Sequence, residues 1–266
     1  MNSVPLPQSP AHAPGGARPM ISPATVRLAC LCVILLFWEI APRLGWVPEV
    51  MLAPMSATFV AGVHNAGMFA SNLGYTAMEL LFALILVFGL GGLIGLLLGS
   101  IKSLRETLLP IVSSIYAVPL VILYPLLTAW IGIGVESKIL FGTLYGIFPM
   151  LLATAAGVQT VDKQVLLAAR SMGATRSQLI RHVLLPAAVP SVLSGMRLGS
   201  AMTAIGVVVA EMMAATAGLG FVITQNRTLF ETANVYFGVL LVLVLAGALD
   251  LFVNFMQRLA APWYPK

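Results

Sequence analysis

Three stretches of this chain carry no charged residue over lengths that cross a membrane. Leu80–Ser100 is 21 residues, Thr107–Val135 is 29 and Ile139–Val161 is 23. A hydrocarbon core about 30 Å thick takes roughly 20 helical residues to cross. Within lipid a segment must satisfy its own backbone hydrogen bonds, which a helix does. Composition agrees: 59% of the 266 residues are hydrophobic and 9% are charged, against about 25% charged in an ordinary soluble domain. Fourteen basic and nine acidic side chains cannot clothe a globule of this size in water. A soluble enzyme is excluded, and the chain is solvated by lipid.

Three further stretches complete the count. Thr232–Leu249 is 18 uncharged residues, and becomes a full span when Asp250 lies near the far interface. Leu28–Trp38 is 11 residues, extended by Arg27 snorkelling at one end and by the i,i+4 pair Glu39 and Arg43 at the other. Leu198–Ala210 is 13 residues between Arg197 and Glu211, and reaches span length with Pro190–Met196 included. The expectation is an all-α integral membrane protein with six transmembrane helices at about 26–44, 78–100, 108–131, 138–160, 188–211 and 233–257. Residues 1–24 hold six of the seventeen prolines and read as a disordered tail. That tail sets the first apolar stretch too deep for an ordinary cleavable signal peptide.

Basic residues orient the spans. With the N-terminus in the cytoplasm, the inner segments hold Arg18, Arg27, Lys102, Arg105, Lys163, Arg170, Arg176, Arg181, Arg258 and Lys266, and the outer ones only Arg43, Lys138 and Arg227. This asymmetry places both termini inside. Glycines four apart (Gly91, Gly95, Gly99; Gly142, Gly146; Gly195, Gly199) mark close helix packing. No basic run with interleaved aromatics is present, so the net charge of +5 points to membrane flanks and not to nucleic acid. Cys30 and Cys32 have neither metal-ligand nor redox spacing, and His12, His64 and His182 are dispersed. The sequence holds no phosphate-binding, dinucleotide-binding or hydrolase motif. It offers no catalytic residues, no metal site and no means of hydrolysing ATP.

The segment Val161–Pro186 reads as two short helices separated by Gly173, with Val165, Leu166, Ala169 and Met172 on one face of the first. Gly173 stands where a positive φ ends that helix. The second helix runs from about Thr175 to Leu185, and Pro186 with Pro190 marks entry into the fifth span. The stretch LAARSMGATRSQLIRHVLLP resembles the "EAA" loop of ABC importer permeases. Ala168, Ala169, Gly173, Val183, Leu185 and Pro186 fall on that pattern, with Leu167 where the family has its glutamate. Trp130–Ile139, Phe148–Pro149, Thr154 with Gly157, Gly195–Arg197, Ala210–Met212, Gly218–Phe221 and Pro262–Trp263 resemble the nitrate/sulfonate/taurine branch, over roughly residues 28–264.

The resemblance implies a type I ABC importer permease, a non-catalytic subunit in the bacterial cytoplasmic membrane. Leu167, Ala168, Ala169, Met172, Gly173, Ala174, Leu185 and Pro186 would form the loop that couples to ATPase subunits. The implied partners are an ATPase dimer that uses ATP and Mg, an external solute-binding protein and a second permease copy. The implied solutes are nitrate, sulfonates, taurine or related small organic anions, although neutral pyrimidine precursors also occur in the family. Pathway candidates are Ser113, Tyr116, Tyr124 and Thr128 near one stripe around Pro119 and Pro125, together with Thr203 and Glu211. Arg197 and Asp250 are candidates for a gate or a structural pair. The competing reading is an ion-coupled secondary transporter, which would need matched halves with broken helices or central carboxylates.

Overall fold

A computed structural model describes residues 22–160 and 163–260, and every regular element among them is helical. The tail expected over residues 1–24 lies almost wholly outside the described residues, as do Asp162, Pro262 and Trp263. Helix α1 (Pro23–Arg43) starts where the Ser22 hydroxyl accepts the Thr25 amide, with proline in its first turn. The short helix α2 (Met55–His64) follows. Glu39 ties the two together: it pairs with Arg43 at 2.7 Å and accepts the Ser56 amide and hydroxyl at the start of α2.

Helices α3 (Ala66–Leu86) and α4 (Gly92–Ser100) join through a π turn at Val87–Gly91 into one apolar rod of 35 residues. The second span is therefore a dozen residues longer at its start than the expected 78–100. Charge misplaced that boundary. Glu79, the residue before the uncharged run, is fully buried and does not end the helix.

Helices α5 (Lys102–Tyr116) and α6 (Tyr124–Ile131) correct the expected third span, 108–131. They are joined by a 3-10 turn at Leu120–Leu123 and bent by 82°, so the longest uncharged run is a broken element. Pro119 lacks an amide hydrogen and biases Val118 away from helical backbone, which stops α5. Pro125 then occupies the first turn of α6, where proline fits. Among the described residues five helices are long and apolar enough to cross a membrane, and the bent pair, taken as one span, makes a sixth.

Helix α7 (Val135–Gln159) is the central rod. Beyond it come α8 (Lys163–Ser171), α9 (Arg176–Leu179) and α10 (Leu185–Met213). Helix α9 does not stop at Pro186 as expected. A π turn at Ile180–Leu184 carries it into α10, and the apolar rod runs Ser177–Met213. The widened turn contains His182, whose carbonyl the Pro186 ring would otherwise crowd. Helices α11 (Leu219–Thr228) and α12 (Thr232–Ala260) complete the described residues.

The seam between α7 and α10 is the most extensive in the bundle, and α4 also packs against α7. Glycine makes both approaches possible. A Cβ on Gly95 would sit 2.7 Å from the Leu151 carbonyl, and one on Gly206 2.9 Å from the Gly142 Cα. The expected glycine spacings thus fall on real backbone contacts.

Candidate coupling site and translocation path

At the end of the bundle where α4, α7 and α10 meet, α8 projects and turns back. Its last turn closes as a paired cap: the Gly173 amide donates to Arg170 at 2.9 Å and the Ala174 amide to Ala169 at 3.1 Å. Gly173 has φ +79°, a backbone that side-chain-bearing residues rarely adopt. The next helix opens with its own reciprocal cap. The Thr175 hydroxyl accepts the Gln178 amide, and the Gln178 side chain accepts the Thr175 amide at 2.8 Å. Two capped ends around one glycine fix the angle between α8 and α9.

Leu166 turns inward against Val158, Leu184 and Ala188, holding α8 to the bundle. Leu167 and Met172 face outward; Met172 is 87% exposed. The expected single apolar face is thus divided between an inward anchor and an outward tip. Ala169, Met172, Gly173 and Ala174 line a shallow depression of about 470 Å³ with Gln178, His182 and Val183. Leu185 and Pro186 belong to the first turn of α10.

At the opposite end the chain buries charge. Glu79 on α3 and Lys138 on α7 form an ion pair with almost no exposure. Lys138 also donates to the Ala217 carbonyl at 3.2 Å. Glu211 on α10 accepts the Thr76 hydroxyl at 2.7 Å and the Gly220 amide at 2.8 Å. The Thr76 hydroxyl in turn accepts the Leu219 amide, Asn72 accepts the Gly218 amide, and the Tyr124 hydroxyl donates to Ala214. The loop between α10 and α11 is therefore strapped across the bundle by side chains from α3, α6, α7 and α10. Gly218, at φ +113°, lies so close to the Glu211 carboxylate that a Cβ there would overlap it.

The pathway candidates separate. Ser113 and Tyr116 sit on α5, Tyr124 and Thr128 on α6 beyond the bend, so they do not form one stripe. Tyr116 stacks on Phe148 with ring centres 5.7 Å apart. Tyr124 is buried against Phe141, and the Thr128 hydroxyl turns back to the Pro125 carbonyl. Thr203 is fully buried in the α7–α10 seam, donating to Gly199 at 2.7 Å. Arg197 pairs with Asp250 of α12 at 2.9 Å, partly exposed, at the end of an apolar groove of about 570 Å³.

Sequence reasoning missed Glu79, Lys138, Thr76 and Asn72. Lys138 had been counted among the outer loop cations, whereas it is interior. The available signal was the spacing of Asn72, Thr76 and Glu79, which puts three polar side chains on one face of an apolar helix.

The profile of the binding-protein-dependent transport system inner membrane component family matches residues 88–264. The chain belongs to this family. Members of the binding-protein-dependent family that resemble it over nearly full length include the taurine transport system permease protein TauC of Escherichia coli strain K12, 30% identical over 92% of both chains. The putative aliphatic sulfonates transport permease protein SsuC of Bacillus subtilis strain 168 is 31% identical over 87% of this chain and 84% of its own. The riboflavin transport system permease protein RibX of Chloroflexus aurantiacus is 30% identical over 88% of each. The fold is that of the inward-facing MetNI methionine ABC transporter: 19% identity, TM-score 0.64, covering 75% of this chain and 98% of the other. The chain is accordingly a multi-pass inner-membrane permease subunit of an ABC importer, working in general with ATPase and solute-binding partners.

Proposed function

We propose that two copies of this chain form the pore of an importer for small sulfonate-like organic anions, powered by two cytoplasmic ATPase subunits and supplied by an external binding protein. The observation that carries the coupling role is the α8–Gly173–α9 module, with its fixed inter-helix angle and its exposed Leu167 and Met172. A rigid lever continuous with α10 can transmit movement of a docked ATPase along the whole rod to the Glu211 strap at the far end. The permease binds no cofactor in this reading, and ATP and Mg belong to the partner. Its basic asymmetry orients the module and both termini toward the cytoplasm.

The anionic solute is supported by the taurine and sulfonate relatives, and the riboflavin relative shows that the same scaffold serves another solute. The chain's own chemistry supports assigning selectivity to the binding protein. Among the described residues the buried ionisable groups are two carboxylates and one ammonium, an excess of acidic groups that does not favour an anion. The test is ligand-induced thermal stabilisation of the cognate binding protein across taurine, alkanesulfonates, nitrate and riboflavin. A shift with a sulfonate supports the reading; a shift with riboflavin alone overturns the solute assignment.

A further inference from the structure

Lys102, Arg105 and Arg170 line one cavity of about 440 Å³ at the end of the bundle that carries α8. Two of these cations come from the start of α5 and one from α8, so the chain brings them together only on folding. The deeper lining is apolar: Val158, Leu166, Leu179 and Leu184. Arg105 is already oriented, one guanidinium nitrogen donating to the Gly99 carbonyl at 3.2 Å, which leaves its other donors available. Among the described residues, Glu106 faces Lys102 at 3.8 Å on an exposed surface, too weakly to cancel three cations. Arg170 makes no ion pair among the described residues. The first turn of α5 also has no side-chain cap and no acidic residue.

A pocket with a cationic rim and an apolar floor, at the level where the membrane helices end, fits a group that is anionic at its head and apolar behind. We propose that this pocket binds a phosphate anion, carried on the headgroup of an anionic phospholipid or free in solution, with Lys102, Arg105 and Arg170 as its ligands. The guanidinium forks engage phosphate oxygens and the ammonium adds a point charge. The apolar floor, unneeded by a free ion, favours the lipid. This site is separate from the exposed tip of the coupling module, and requires only that the chain be embedded in a membrane.

The test is thermal unfolding of the full-length chain in neutral detergent with phosphatidylglycerol, phosphatidylcholine or inorganic phosphate added separately. Saturating phosphatidylglycerol is expected to raise Tm by roughly 5–10 °C, with no comparable effect of the zwitterionic lipid. A rise with inorganic phosphate instead identifies the free ion as the occupant. Arg170→Gln, at an exposed position, should cut the shift, the triple Lys102→Gln/Arg105→Gln/Arg170→Gln variant should abolish it, and Arg105→Lys should retain most of it. If the triple variant does not fold, Arg170→Gln and the wild-type lipid comparison decide. No shift with either phosphate source, or a shift equal in phosphatidylcholine or unchanged in Arg170→Gln, overturns the proposal.

Discussion

Gly173 and Lys138 are single positions on which opposite ends of the molecule depend. Gly173 adopts φ +79°, so Gly173→Val should strain the turn by about 1–3 kcal/mol and re-aim α9. Ala169→Glu should bury an unpaired charge against a docked partner at a cost of several kcal/mol, on the order of that for other unpaired buried ions. Both variants are expected to insert at normal abundance and to lose ATPase co-purification or solute-stimulated hydrolysis; normal transport by both would refute the coupling role. Lys138→Met leaves Glu79 buried without its cation, and should lower unfolding free energy by about 3–5 kcal/mol, whereas Glu79→Gln/Lys138→Met should recover much of that loss. Thermal unfolding of the three purified proteins checks this. Gly173 was legible in the sequence because a positive φ at a helix end selects glycine. The Glu79–Lys138 pair was not, because each charge abuts an uncharged run and so reads as the edge of a span.

Among the elements, the α4–α7 contact can be tested by contrasting two glycines of one rod, one inside the contact and one outside it. Gly95→Ala pushes a methyl group to within 2.7 Å of the Leu151 carbonyl, and overpacking of this kind costs roughly 1–3 kcal/mol. Gly74→Ala on the same rod meets nothing within 4 Å, and should be neutral or stabilising through helix propensity. Equal melting temperatures for the two variants would contradict the close-packed seam. The glycine spacing was readable because a period of four lies along one helix face. The break between α5 and α6 was not, although Pro119 marks it. Pro110, Pro149 and Pro190 lie inside helices that continue, so proline alone does not locate a bend. Nor did charge show that the second and fifth rods extend well past their uncharged cores, since Glu79 and Arg181 lie within helical backbone.

For the whole molecule, orientation and coupling stand together. Ser71, near the start of α3, and Ser171, at the end of α8, are exposed at opposite ends of the bundle. Cysteine at Ser171 should label only from the cytoplasm and cysteine at Ser71 only from outside; the reverse would place the proposed coupling module where no ATPase can reach it. Ser71 is exposed, and its substitution leaves in place the adjacent Asn72, whose side chain holds the Gly218 amide. The six-span class and family were legible from uncharged lengths and the Ala168–Pro186 motif. The strap that ties α10 to α11 needed three-dimensional contacts between residues more than a hundred positions apart. The most direct measurement is ATP-dependent solute uptake into proteoliposomes containing this permease with its ATPase and binding protein, beside liposomes containing the permease alone. Uptake in the complete system, its loss with Gly173→Val and none by the permease alone is the predicted result. Gradient-driven uptake by the permease alone would contradict the account.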